Sequence, residues 1–327
     1  MGRIRHNTLL DHADTTLVAA SDPYSDLSDC DFQTFRDWKD MLELDLDAVI
    51  VCSTNEQIPD AICTALDKGM HVFSEKPPGR NVADIEAICA AEARNPGKHL
   101  KFGFNHRYHA SVMEARKIIE TGELGEILWL RGVYGKAGGS NYEKQWRNEF
   151  SKSGGGILID QGIHMIDLFH YMCGEFEDVV SMIGKSYWKN VAVEDNAFAI
   201  MRNNAGQMAS LHSSATQWRH TFKLEIMMEK GFLDLSGILS NSMSYAPEKL
   251  IVSTVELDST GCPKENPSET TTTFNGDKSW EMEMDEFMSA LRGEGEIHTG
   301  TSAHALAAMK AVHRVYDADP KWTMPTE

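Results

Sequence analysis

The 327-residue sequence predicts an α/β protein of two domains, and three observations carry that reading. At roughly 100–200 residues per domain, the length asks for two cores. Over residues 1–104, short β-branched runs alternate with helix-spaced segments, the pattern of a parallel sheet with helices on its faces. Over residues 105–327, strand-like runs follow one another with few helices between, which implies an α+β domain with a large, mostly antiparallel open sheet.

The runs 16–21 (TLVAAS), 48–52 (AVIVC), 71–74 (HVFS) and 100–104 (LKFGF) are apolar or β-branched and bounded by turn residues, so they read as buried strands. Between them Ile58, Ile62 and Leu66, and then Ile85 and Ile88, recur at helical spacing. In the second domain, Val112, Ala115, Ile118 and Ile119 mark a helix closed by Gly122, followed by a strand over 127–134. A helix is expected over 158–173, then strands over 179–186, 196–201, 207–213, 222–228 and 250–255. Helices over 279–291 and 303–316 close the chain, and 262–273, rich in Pro, Thr, Ser and Glu, reads as a loop.

Hydrophobic residues at 42% and charged residues at 24% are ordinary for a globular chain and argue against disorder, collagen and coiled coil. A net charge of −18 repels phosphate backbones and anionic lipid, so nucleic-acid and membrane-surface partners are disfavoured. Cysteines at 30, 52, 63, 89, 173 and 262 form no close pair suited to a metal or a redox disulfide. No metal is expected, and a reduced, cytoplasmic chain fits. The sequence has neither the ~18 uninterrupted apolar residues of a membrane helix nor, at its start, the apolar core of a signal peptide.

Three motifs carry chemistry. Gly2 opens a helical stretch with Arg3 and Ile4, and Asp22 follows the next strand. This spacing matches the second half of a dinucleotide fingerprint, a glycine packing helix on strand and, about 20 residues on, an acid for ribose hydroxyls. Glu75 and Lys76 stand where the strand 71–74 runs into Pro77-Pro78-Gly79. Ligands of open α/β sheets gather outside C-terminal strand ends, so Lys76 faces a ligand. After Gly154-Gly155-Gly156, Asp160, His164 and Asp167 fall on one helical face at i, i+4 and i+7, a polar stripe that is costly to bury without a purpose.

Together these motifs, with Gly103-Phe104-Asn105-His106-Arg107-Tyr108, Gly122-Glu123-Leu124-Gly125 and Trp146-Arg147, resemble the Gfo/Idh/MocA oxidoreductases over nearly the whole chain. The resemblance implies an N-terminal Rossmann domain (1–104) and a C-terminal substrate and oligomerisation domain (105–327) forming a homodimer or homotetramer through its sheet. It also implies NAD or NADP, and Lys76, Asp160 and His164 as catalytic set. The chemistry is coherent: His164 takes the hydroxyl proton while hydride leaves carbon, Lys76 stabilises the developing alkoxide, and Asp160 orients lysine, substrate or both. The cofactor-side expectations add Ser53, Thr54 and Asn55, Tyr24 beside adenine, Glu75, and Trp146 and Arg147 near the nicotinamide half. Asp22 favours NAD over NADP, because a carboxylate repels a 2′-phosphate.

Measured against the family, the chain lacks the first strand and first two glycines of the fingerprint, and about a dozen upstream residues are expected to supply them. The expected substrate is a sugar, sugar derivative or polyol at the domain junction, beside Asn105, Arg107 and Tyr108, with Arg107 suited to a substrate anion. His212, Gln217, Trp218 and Arg219 form a polar-aromatic patch fit for a larger group such as a nucleotide-linked sugar. Two alternatives keep the same motifs: an NAD-dependent glycosidase with no net redox change, and a non-catalytic dinucleotide-sensing relative.

Overall fold

The computed structural model describes residues 1–25, 27 and 30–325. It divides into two units, Met1–Phe104 with Trp280–Leu306, and Asn105–Ser279 with Ala307–Glu327.

In the first unit the chain runs α1 (Gly2–Asp11), β1 (Ala19–Ser21), β2 (Gln33–Phe35), α2 (Trp38–Met41), β3 (Ala48–Val51), α3 (Ile58–Asp67), β4 (His71–Glu75), α4 (Val82–Arg94) and β5 (Leu100–Gly103). β1 pairs with β2, and β4 lies between β3 and β5, every pair parallel as the strand-helix alternation predicts. Val72, Phe73 and Phe102 are fully buried, consistent with strands that read as unbroken apolar runs because both faces are covered. Ile58, Ile62, Ala65 and Leu66 give α3 its buried stripe, and Ile85, Ile88 and Ala91 do the same for α4. The Asn81 side chain accepts the Asp84 N–H and so fixes where α4 begins. β2 was not expected, since two of its three residues are exposed and it carries no burial alternation.

Trp280–Leu306 also differs from expectation, which kept it with residues 105–279. Met284 and Phe287 pack on Phe73, and two acidic residues of the same helix, Glu283 and Glu286, meet buried cations. Arg5, on α1, donates from Nε to Glu75 at 2.6 Å and from Nη2 to Glu283 at 2.6 Å, between the rings of Phe73 and Trp280. Burial opposes its charge, but the two carboxylates outweigh burial and raise its pKa. Lys101, fully buried, pairs with Glu286 and donates to the Thr299 carbonyl at 2.6 Å. Helical spacing identifies this helix but not the sheet it covers.

The second unit holds α5 (Ala110–Thr121), β6 (Ile127–Gly135), α6 (Phe150–Ser153), a π-helical turn (Leu158–Gly162) leading into α7 (Ile163–Cys173), and strands β7 (Asp178–Gly184), β8 (Asn196–Arg202), β9 (Met208–Ser214), β10 (Thr221–Met228), β11 (Gly231–Ser236), β12 (Glu248–Thr254) and β13 (Glu269–Phe274). In the chain, α8 (Ser279–Leu291), nearly all of it in the first unit, and α9 (Ser302–Asp317) follow. The eight strands order as β13-β12-β11-β10-β6-β9-β8-β7, antiparallel throughout except for the parallel pair β6 and β9. β13 overlaps the expected loop over 269–273: its threonines favour strand, yet it is an edge with five exposed residues and shows no two-residue burial period.

α7 and the π turn pack on β6 and β9. The approach is close at Gly132, where a Cβ would stand 2.5 Å from Met165 Cγ and 2.7 Å from Phe169 Cζ. Phe222, Leu224, Ile226 and Met228 line the covered face of β10, each such residue contributing roughly 1.5–3 kcal/mol by burial.

Candidate active site

The triple glycine has a packing cause. A Cβ at Gly156 would lie 2.1 Å from the Glu194 carbonyl oxygen, and one at Gly155 would lie 2.2 Å from the Tyr316 hydroxyl. Behind these glycines the Glu194 carboxyl accepts the Gly156 N–H at 2.8 Å, the Leu158 N–H at 2.9 Å and the Tyr316 O–H at 2.8 Å. Burial pushes this carboxyl up to about 7, with the hydrogen bonds pulling the other way. Glu194, not singled out in the sequence, thus anchors the backbone just before the π turn.

On that turn Asp160 receives Lys136 Nζ at 2.7 Å and Arg147 Nε at 3.3 Å, and the Arg147 guanidinium lies 4.5 Å over the Trp146 ring. Trp146 and Arg147, expected at the cofactor, therefore sit beside Asp160 in the second unit. Lys136, which no motif flagged, carries the nearer charge. It stands just past the end of β6, and no local pattern distinguishes it from a solvated lysine.

His164 lies in the first turn of α7, 5% exposed. Its ring stacks on His106 with centroids 3.8 Å apart. Asn105 Nδ2 donates to Ser279 Oγ at 3.2 Å, so Asn105 Oδ1 is the acceptor for His106 Nδ1 at 3.1 Å. That makes His106 Nε2 the acceptor of the Tyr134 O–H, also at 3.1 Å. Burial raises the Tyr134 pKa well above its ordinary value, so this hydroxyl keeps its proton. Tyr245 packs edge-on to Tyr134 at 5.4 Å and accepts a long bond from Gln161 Nε2 at 3.5 Å; burial pushes its hydroxyl up to about 12.

Three expected ligand contacts take a different form. Arg107 was expected to hold a substrate anion, but its fork is filled: Nε and Nη2 donate to the two oxygens of Asp167 at 2.8 and 2.6 Å, both side chains buried. Asp167 is therefore the counter-ion of Arg107, which explains the third member of the helical stripe. Glu75 was expected at the cofactor, and its carboxylate is bonded to buried Arg5. Asn105, expected at the substrate, is buried with its amide in the His106 network.

The remaining cofactor-side candidates follow strands of the two parallel sheets of the first unit. Asp22 follows β1, Ser53, Thr54 and Asn55 follow β3, and Lys76 follows β4, so all lie past the C-terminal ends of parallel strands. Asp22 accepts the Tyr24 and Ser25 N–H groups at 2.8 and 2.9 Å and the Ser25 hydroxyl at 2.7 Å. Burial raises its pKa and these bonds more than offset that, leaving it below the usual carboxylate range. A carboxylate offers about four acceptor positions, so a ribose hydroxyl still finds one. Gly2, Arg3 and Ile4 form the first turn of α1, which has no side-chain cap and no acid, and a Cβ on Gly2 would meet nothing within 4 Å. Such a turn suits an anion. Tyr24 is 86% exposed. His212 stacks on Phe198 on the outer sheet face, and Trp218 packs on Tyr187.

An α/β unit with its polar residues past the strand ends, joined in one chain to an open sheet carrying a buried His and a cation-flanked Asp, defines a dinucleotide-binding oxidoreductase architecture. The family models agree: one described as an oxidoreductase family with an NAD-binding Rossmann fold matches residues 1–104, and a GFO/IDH/MocA C-terminal domain matches residues 112–234. The chain belongs to the Gfo/Idh/MocA oxidoreductases.

An inositol 2-dehydrogenase of Salmonella typhimurium is 23% identical over 231 residues, 70% of this chain and 65% of that protein. A D-glucoside 3-dehydrogenase of Escherichia coli is 36% identical over 156 residues, 46% of this chain and 42% of that protein. These matches span less than two thirds of the length of those relatives. The fold of a levoglucosan dehydrogenase solved with NADH and levoglucosan superposes with a TM-score of 0.83 at 18% identity, covering 98% of this chain and 95% of that one. Among the described residues no helix is long and apolar enough to cross a membrane.

Proposed function

We propose that this chain is an NAD-dependent dehydrogenase that moves hydride between the nicotinamide and a CH–OH carbon of a sugar, sugar derivative or polyol. The observation that carries the reading is His164: an imidazole buried in an aromatic stack, four residues from a carboxylate held by two cations, in a chain of this family. The dehydrogenases of inositol and D-glucoside among its relatives support the substrate class. Gly2, Arg3 and Ile4 would receive the pyrophosphate and Asp22 the adenosine ribose, with Ser53, Thr54 and Asn55 past the end of β3. Asp22, already charged, favours NAD over NADP.

When bound, NAD supplies the hydride acceptor. His164 takes the hydroxyl proton, its ring held in place by the stack on His106. Lys76 stabilises the negative charge growing on that oxygen, and Asp160, paired with Lys136 and Arg147, orients the substrate hydroxyls. His164→Ala and Lys76→Ala are each expected to lower kcat by at least about a hundredfold, the former with NADH affinity unchanged. Unchanged turnover in His164→Ala would refute the assignment of His164, and NADH binding by the unaltered chain with no NADH formed from any sugar would favour a dinucleotide sensor. Sugar release without NADH accumulation would favour the glycosidase chemistry.

The outer sheet face supports a homo-oligomer: Val180, Met182, Phe198, Ile200 and Met208 are exposed, with Met182 opposite Phe198 and Val180 opposite Ile200 on paired strands. Six free cysteines fit a cytoplasmic location.

A further inference from the structure

Within the second unit, a cavity of about 220 Å³ lies at the approach to β10, between the chain around Arg219 and the segment around Tyr245. We infer that it is a subsite for an oxyanion carried by the substrate, a carboxylate or phosphate on a sugar, gripped by Arg219 and Lys249. The inference rests on the sugar-dehydrogenase reading above and adds the substrate's charge.

Charge is the first argument. The chain carries −18, yet the ionisable side chains lining this cavity are Arg219, His220, Tyr245 and Lys249, and none of the described lining residues is a carboxylate. Glu248, beside Lys249 in sequence, is turned away and buried, accepting the Ser111 N–H at 2.8 Å and meeting His109 at 3.2 Å. Burial and then Lys136 hold the His220 imidazole below its ordinary value, so the standing charge comes from Arg219 and Lys249.

The second argument is that these cations are not engaged elsewhere. Arg5, Arg107, Arg131 and Arg202 each bond a carboxylate, whereas among the described residues neither Arg219 nor Lys249 has an ion pair. An arginine fork with open donors suits a carboxylate or phosphate.

Position is the third argument. Two cavity walls, Phe222 and Tyr245, pack edge-on against Tyr134 at 5.5 and 5.4 Å, and the Tyr134 ring lies 6.3 Å from His164. The cavity therefore lies in the same unit as His164 and only two ring contacts from it, within the reach of a substituted sugar.

The test is calorimetric titration of the NADH-loaded protein with glucose, glucuronate, glucose 6-phosphate and inorganic phosphate, repeated with Arg219→Gln and Lys249→Gln. At least one acidic sugar is expected to bind tenfold or more tighter than glucose, as about one charge-assisted hydrogen bond supplies. Whichever acidic sugar wins names the anion. Each variant should lose about ten- to a hundredfold toward that sugar and little toward glucose. Equal affinity for glucose and both acidic sugars overturns the proposal, as do variants that weaken neutral and acidic sugars alike. Inorganic phosphate binding without any gain for an acidic sugar also overturns it, since that marks an anion site unrelated to substrate. A charge preference with no NADH formed from any sugar sinks the dehydrogenase reading and leaves the subsite standing.

Discussion

Replacing Asp167 by alanine removes the sole carboxylate bonded to the buried Arg107 guanidinium among the described residues, and the cost follows from the geometry. The guanidinium cannot shed its proton, and Asp167 holds its pKa above the ordinary arginine value despite burial. An uncompensated charge of this kind costs about 3–5 kcal/mol. At an m of about 2 kcal/mol/M in urea, a loss near 4 kcal/mol lowers the midpoint of this unit by about 2 M. Arg107→Ala should cost less, because the stranded Asp167 can take a proton; what it also loses is the guanidinium packing on the Tyr171 ring, 4.8 Å away. The double variant Arg107→Met/Asp167→Leu should recover most of the stability, since replacing both partners of a buried pair by apolar groups is often neutral or better. Urea melts followed by tryptophan fluorescence, run as a double-mutant cycle, measure all three. The structural role is refuted by a midpoint shift under about 0.5 M in Asp167→Ala. It is refuted equally by a raised substrate KM in Arg107→Ala at an unchanged midpoint, which would return Arg107 to the substrate.

Other predictions concern the glycine turn and the open sheet. Gly156→Ala drives a methyl into the Glu194 carbonyl and should cost at least about 2 kcal/mol in a urea melt. Gly184→Ala, with nothing within 4 Å of its Cβ, should stay within about 0.5 kcal/mol, and equal effects at the two sites would show that the clash is not the cause. The Glu194 carboxyl titrates at 4.5 ordinarily and about 7 in the fold, so the folded chain holds an extra proton between those values. Its contribution to stability is full below pH 4.5 and is lost as pH rises through 7, by up to roughly 3 kcal/mol. Glu194→Gln should flatten that slope between pH 5 and 8; an unchanged slope would place the titration elsewhere. Met182→Lys with Ile200→Lys should convert the proposed oligomer to a monomer in light scattering without moving the melt, and an unchanged mass would exclude this face as the interface.

Much of the architecture was legible because its signals are local. Apolar runs and helix-spaced isoleucines marked β3, β4, β5, α3 and α4, and consecutive strands marked the open sheet. β11 was missed although Leu233 and Leu235 alternate with half-exposed neighbours, because six residues beside a glycine offer little pattern to count. The parallel pairing of β6 with β9 depends on strands far apart in sequence, which no periodicity records. Of the candidate site, His164 and Asp160 stood out in the sequence because they follow an unusual glycine run. Their partners did not: Lys136, Glu194 and His106 gain meaning only from neighbours brought in by the fold. Arg107 and Glu75 looked like ligand contacts because a charge in a motif reads the same whether its partner is a substrate or another side chain.

The π turn at Leu158–Gly162 sets an angular offset inside an otherwise ordinary helix. In an α-helix each residue turns the chain by about 100°, so deleting one residue from the turn would swing everything before it by that amount relative to α7. Asp160 would leave Lys136 and Arg147, while His164, Asp167 and Phe169 kept their seats on the sheet. The aim of the carboxylate is therefore stored in the count of residues between the glycines and the histidine. Along this segment, length is constrained more tightly than side-chain identity.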